Sequence, residues 1–181
     1  SQYPGVNSGV DVRDDIVGLI VSEGRLNVGT DAKIPRSRAL ALIHHEVGTH
    51  ILTYCNGHRQ PFKQMYAGFA GYDQLQEGLA VLAEYLVGGL TNDRLRLLAA
   101  RVIAVNALDQ NADFIEVFRS LTREYGFEEK LSFNIAMRVF RGGGFTTDAL
   151  YLKGLLELLG YLRKGGNVEI LYTGKFGLRH V

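Results

Sequence analysis

The run His44-His45-Glu46-Val47-Gly48-Thr49-His50 places three of the chain's five histidines and a glutamate within seven residues. Downstream, Gln76-Glu77-Gly78-Leu79-Ala80 opens a second apolar segment with another glutamate. Two imidazoles and a carboxylate are the donor set of a catalytic Zn²⁺, because three protein ligands hold the ion and leave one position for water. A carboxylate beside the first ligand, Glu46, is then free to act as general base on that water. His45, His50 and Glu77 are therefore candidate ligands for one Zn²⁺ per chain.

The spacing constrains the element that carries them. Residues i and i+4 of an α-helix share a face, whereas i and i+5 point roughly 140° apart. His45 and His50 cannot both reach one metal from a regular helix. One extra residue must be absorbed locally, most simply by a π-type turn, and Gly48-Thr49 lies where that turn is needed. Glycine weakens a helix interior, and a threonine hydroxyl can bond to the backbone in place of the regular ladder. Glu46 and His50 are an i, i+4 pair and offer the alternative of a carboxylate-rich iron or manganese site. That site needs several more inward acids, and paired Glu-x-x-His motifs are absent.

The third ligand is a choice between Glu77 and His58. Gly57-His58 has the look of the glycine and final histidine that follow a metzincin zinc helix, but its interval from His50 is too long. Glu77 opens an apolar helical pattern in which Glu84 falls two turns later on the same face. A carboxylate in so apolar a helix is costly unless paired or bound to metal. Glu77 is the preferred ligand, and Glu84 is placed to support a ligating histidine. His44 faces away from the metal side. His58 and His180 read as ordinary half-buried histidines.

These parts resemble a known family. His45-Glu46-Val-Gly-Thr-His50, with Gln76-Glu77-Gly-Leu-Ala80 and Arg141-Gly-Gly-Gly-Phe-Thr-Thr-Asp148-Ala-Leu-Tyr151-Leu-Lys153-Gly, is similar to the QEGLA-motif proteins. That family includes the eukaryotic microtubule-associated tyrosine carboxypeptidases. The resemblance implies a zinc peptidase in which His45, His50 and Glu77 bind the metal and Glu46 is the catalytic base. It does not carry the tubulin substrate with it. A carboxypeptidase must also recognise a terminal carboxylate, which arginine does with a bidentate fork. Arg141, beside the triple glycine 142–144, is the first choice for that role, and Lys153 is a weaker one. Tyr151 is a candidate donor to the oxyanion of the tetrahedral intermediate. The implied partner is the C-terminus of a peptide or protein.

Composition sets the wider frame. At 181 residues the chain reads as a single metallopeptidase domain, 1–181, large enough to bury a core. It starts at Ser1, as a domain excised from a longer chain would. Hydrophobic content of 46% and charged content of 22% are ordinary for a soluble globule. A net charge of +1 gives no argument for nucleic acid or an anionic membrane as partner. No transmembrane run or signal peptide is visible, so a cytoplasmic setting is expected. The single cysteine, Cys55, excludes an internal disulfide and reads as a small buried hydrophobe. Two readings from other classes stand beside the peptidase: a metal-binding regulatory or interaction domain without turnover, and a non-haem iron or manganese oxidoreductase.

The elements follow from punctuation and periodicity. Residues 1–13 look irregular. Asp15 to Gly29 reads as two strands around Ser22-Glu23-Gly24, a hairpin beside the zinc helix. That helix starts at Pro35 or Ser37 and runs to about Tyr54, followed by a loop to Gly71. The glutamate helix spans about Tyr72 to Val87 and ends at Gly88-Gly89. Further helices are expected from Thr91 to about Leu108, Asp113 to Tyr125, Glu128 to Arg141 and Thr146 to about Lys164, with a final strand over Val168 to Tyr172. The fold class expected is α+β and mostly helical, a gluzincin-like layout with a small N-terminal hairpin sheet.

Overall fold

The computed structural model of the chain describes residues 8–141 and 147–181. The triple glycine 142–144 and the expected helix start at Thr146 lie outside them. The described chain is mostly helical with one three-stranded sheet, an α+β arrangement. It divides into two compact units, Ser1–Leu90 with Lys153–Val181, and Thr91–Leu152.

The first unit begins with the sheet, in the order β1-β3-β2. Strands β2 (Leu19–Ser22) and β3 (Arg25–Gly29) form the expected hairpin, with Ser22 opposite Arg25. Glu23 and Gly24 both take positive φ, 50° and 75°, as a two-residue hairpin turn with the native strand twist requires. The third strand corrects the reading of residues 1–13 as irregular. β1 (Gly9–Arg13) pairs in parallel with β3, Val10 opposite Leu26 and Val12 opposite Val28. Val10 and Val12 are exposed, so β1 shows no buried apolar face. Pairing with β3 and a two-pronged bond from the Arg25 guanidinium to Asp11, at 2.5 and 2.6 Å, hold it in place. Both are long-range effects that local periodicity does not show.

The metal-motif helix is one continuous helical run in three parts. α1 (Arg36–His45) passes into a π-helical stretch, Glu46–Ile51, and then into α2 (Leu52–His58). It extends about a turn beyond the expected end at Tyr54. A short α3 (Gln64–Ala67) interrupts the expected loop. α4 (Tyr72–Leu86) matches the expected glutamate helix. Gly88, at φ 73°, turns the chain out of it, and the Gly89 N–H returns to the Glu84 carbonyl. The core of this unit has two parts. Leu75, Leu79, Leu158, Leu171 and Phe176 form one. Leu26, Ile51 and Cys55 pack the sheet onto the metal helix and form the other. Cys55 is buried, as its reading as a small hydrophobe requires.

Val168 to Tyr172 is not a strand but one helical turn, α9 (Val168–Leu171). The apolar spacing Val-x-Ile-Leu fits either period, and the Asn167 side chain decides by accepting the Glu169 N–H at 2.8 Å.

The second unit contains α5 (Asn92–Asp109), α6 (Phe114–Arg119), a second π stretch (Ser120–Glu124) and α7 (Glu129–Arg141). Thr91 caps α5 by accepting the Arg94 N–H. Asp113 and Glu116 form a reciprocal capping box on α6. Ala100, Ala104, Val117, Leu121, Ile135, Ala136 and Val139 form its core. Buried Asp148, in a 3₁₀ turn (Thr147–Ala149), is paired to Arg101 at 3.3 Å and Arg138 at 2.9 Å. The α8 helix (Leu150–Arg163) then leads into the first unit.

Candidate metal centre

The i, i+5 spacing is resolved where the sequence is most permissive. The Leu52 N–H reaches back five residues to the Val47 carbonyl, the bond of a π turn. The wide turn leaves carbonyls poorly served, and two threonines mend them. Thr49 Oγ1 donates to the His44 carbonyl at 3.1 Å, and Thr53 Oγ1 donates to the Thr49 carbonyl at 2.8 Å. The extra residue rotates His50 onto the face of His45. Their rings meet edge to face with centroids 5.2 Å apart.

Opposite them stands α4. Glu77 presents its carboxylate to both imidazoles, 3.6 Å from His45 Nε2 and 3.9 Å from His50 Nε2. Ligand atoms of the three residues all lie within 4.8 Å of one another, and among the described residues they are the group able to hold a metal ion. Donors about 2.0–2.1 Å from a tetrahedral ion are roughly 3.3–3.5 Å apart, so small side-chain movements would close the cluster.

The far nitrogen of each ring is occupied. His45 Nδ1 donates to Glu84 Oε1 at 2.8 Å, and His50 Nδ1 donates to Gln76 Oε1 at 3.4 Å. These bonds select the tautomer whose Nε2 lone pair faces Glu77, the second-sphere pattern of ligating histidines. Burial above all, with the neighbouring His45 adding to it, pushes the His50 pKa down to about 4, so that ring is neutral and able to ligate at neutral pH. Burial raises the carboxyl of Glu46 above its ordinary value. His45 opposes that shift and Glu84 adds to it. A half-buried, weakly acidic carboxylate next to a candidate ligand is suited to exchange protons with water.

Glu84 itself is fully buried, a heavy cost for a lone carboxylate. It is satisfied on both oxygens, by His45 and by the Arg38 guanidinium at 2.7 Å. Arg38 also donates to the Gly89 carbonyl at 2.5 Å, which ties α1 to the end of α4. The sequence reading assigned a supporting role to Glu84 but none to Arg38 or Gln76. Both left a signal. Arg38 is seven residues before His45, two turns along one face. Gln76 is a polar side chain at the apolar start of α4. It is 2% exposed and also accepts the Thr53 hydroxyl at 2.7 Å.

The other expected residues fall elsewhere. His44 is exposed. His58 stacks on Tyr66 with centroids 3.7 Å apart and does not join the cluster. Lys153 is exposed on α8. Arg141 is the exposed last residue of α7, and Tyr151 lies under the Arg101 guanidinium at 5.8 Å. Both belong to the second unit, whereas His45, His50 and Glu77 belong to the first.

The family model of the microtubule-associated tyrosine carboxypeptidases matches residues 1–181, the whole chain. The chain belongs to this family. Membership places it among carboxypeptidase-type peptide hydrolases. No curated protein and no solved structure matches it.

Each position of Gln76-Glu77-Gly78-Leu79-Ala80 has a physical task. Gln76 orients His50, and Glu77 faces both rings. Leu79 and Ala80 are fully buried. Gly78 lies against Gly154 of α8, where a Cβ would run into the backbone carbonyl of that helix.

Proposed function

We propose that the chain is a zinc carboxypeptidase. In this reading His45, His50 and Glu77 hold the metal in a gluzincin-like layout, and Glu46 is the general base. The observation that carries it is the convergence of those three donors within 4.8 Å, in a chain of a carboxypeptidase family. When bound, Zn²⁺ would supply Lewis-acid polarisation of a carbonyl and an acidified water.

The chain's own side chains do the rest. Glu84 and Gln76 hold the Nδ1 protons of His45 and His50, and so keep both Nε2 atoms available. Glu46 takes a proton from the attacking water. Its raised pKa then suits it to return that proton to the leaving amine. Tyr151 is the proposed donor to the oxyanion. Sequence grounds offer Arg141, with Lys153 behind it, as candidate cations for the substrate carboxylate. The substrate is the C-terminus of a peptide or protein, and the family description makes a terminal tyrosine the first to try. The reading includes a cytoplasmic setting, with no nucleic acid or membrane as partner. Among the described residues no helix is long and apolar enough to cross a membrane.

The test combines metal analysis with cleavage of a tyrosine-ending peptide. About one zinc per chain is expected, and His45→Ala should lose it. Glu46→Gln should keep the metal and lower hydrolysis by roughly 10²–10⁴-fold, because only the base is removed. Loss of metal in Glu46→Gln as complete as in His45→Ala would make Glu46 a ligand and overturn the assignment. Zinc retained without any cleavage by the unsubstituted protein would leave a binding domain.

A further inference from the structure

We propose that Lys175, held over the rings of Tyr54 and Tyr72 beside His50, is the cation that receives the terminal carboxylate of the substrate. The inference rests on the carboxypeptidase reading and names its recognition residue.

Position is the first argument. Lys175 Nζ lies 5.3 Å from the centre of the Tyr54 ring and 5.6 Å from that of Tyr72. Tyr54 is one turn beyond His50 on the metal helix. Tyr72 is one turn before Gln76, the residue that orients His50, on α4. The ammonium thus bridges the two helices that supply the ligands, on the His50 side.

The second argument is rigidity. The Lys175 N–H donates to the Met65 carbonyl at 2.6 Å, and its own carbonyl accepts the Phe69 N–H at 2.9 Å. Asn56 Nδ2, on the metal helix, donates to the Tyr172 carbonyl at 2.9 Å and pins the same segment from the other side. A cation whose backbone is fixed this way loses little further freedom when an anion arrives.

The third argument is electrostatic. The ammonium is half-buried, and burial lowers its pKa. Its walls are aromatic faces, which attract a cation but do not neutralise it. Asp73 acts on it through charge, yet among the described residues no carboxylate comes within ion-pair distance of Nζ. A partly desolvated cation with no ion-pair partner among the described residues gains more from a carboxylate than a solvated one does. Exposed Lys153 and Arg141 are solvated, and exposed pairs contribute little.

The experiment uses Ala-Ala-Ala-Tyr as a free acid and as its C-terminal amide, with binding measured calorimetrically on the full chain. Binding in the Glu46→Gln background prevents turnover. The acid is expected to bind roughly 30-fold or more tightly than the amide. Lys175→Met should erase that preference with zinc content unchanged, and Lys175→Arg should retain part of it. The retained metal and the arginine variant separate lost recognition from lost folding. A preference that survives Lys175→Met, or that vanishes in Arg141→Ala instead, would overturn the proposal. So would equal binding of acid and amide by the parent. Metal content and cleavage are scored separately. Failure of those with the acid preference intact would sink the zinc mechanism and leave the carboxylate site standing.

Discussion

At the scale of single residues, the centre is arranged around control of two protons. Each histidine gives its Nδ1 proton to a buried acceptor and turns its other nitrogen toward Glu77. The consequence is measurable in the metal-free protein. His50 has a folded pKa of about 4, against about 6.5 for an unfolded histidine. Because the folded value is the lower one, the unfolded chain takes up the proton first as pH falls. The contribution of neutral His50 to stability is complete above about pH 6.5 and is lost as pH drops toward 4. Long-range ¹H–¹⁵N NMR of the metal-free protein should show His50 titrating near pH 4. A midpoint at 6 or above would mean that the ring is solvated, and the site less enclosed than described.

At the scale of elements, two devices bring the candidate ligands together. The π turn at Glu46–Ile51 rotates His50 by the amount that the i, i+5 spacing requires, and Thr49 and Thr53 hold it open. A second π stretch, Ser120–Glu124, also carries an inward-bonding threonine, Thr122, on the Phe118 carbonyl at 3.0 Å. The other device is the backbone contact of α4 with α8 at Gly78 and Gly154. A Cβ at either glycine would strike the backbone of the opposite helix. Gly78→Ala should therefore destabilise the fold by about 1–3 kcal/mol or more. It should also weaken metal binding, because Glu77 is the adjacent residue. Thermal unfolding with and without zinc checks both effects. An unchanged melting temperature together with unchanged zinc affinity would show that the two helices have room to spare.

At the scale of the whole molecule, the proposed ligands come from one unit but from two helices 27 residues apart at the nearest pair, His50 and Glu77. An ion that binds the folded state and not the unfolded chain stabilises by mass action, about 4 kcal/mol at a thousand times its dissociation constant. Zinc should raise the melting temperature and chelation should lower it. Amides of α1, the π stretch and α4 should exchange more slowly in the zinc-loaded protein than in the chelated one. If chelation left both melting and exchange unaltered, the three side chains would not be gripping a metal in solution.

Chemistry-bearing residues are the part of this protein that the sequence determined by itself. His45, Glu46 and His50 with Glu77 pointed to a candidate metal site. Their odd spacing required a distorted helix at Gly48-Thr49, and the π turn lies there. The hairpin around Glu23-Gly24, the helix starts at Thr91 and Asp113, and the stop at Gly88 were legible because each is a local backbone requirement met by local residues. What only the tertiary structure decided depends on distant partners. Strand β1 exists because β3 lies beside it. The turn at Val168 is helical because Asn167 caps it, where the apolar pattern fitted either form. Arg38 matters because Glu84 would otherwise be a buried, half-satisfied charge. Lys175, 125 residues after His50, becomes its neighbour only when the segment from Tyr172 is pinned to Asn56 and Met65. No periodicity or motif spacing encodes such a meeting, because it is created by packing between segments remote in the chain.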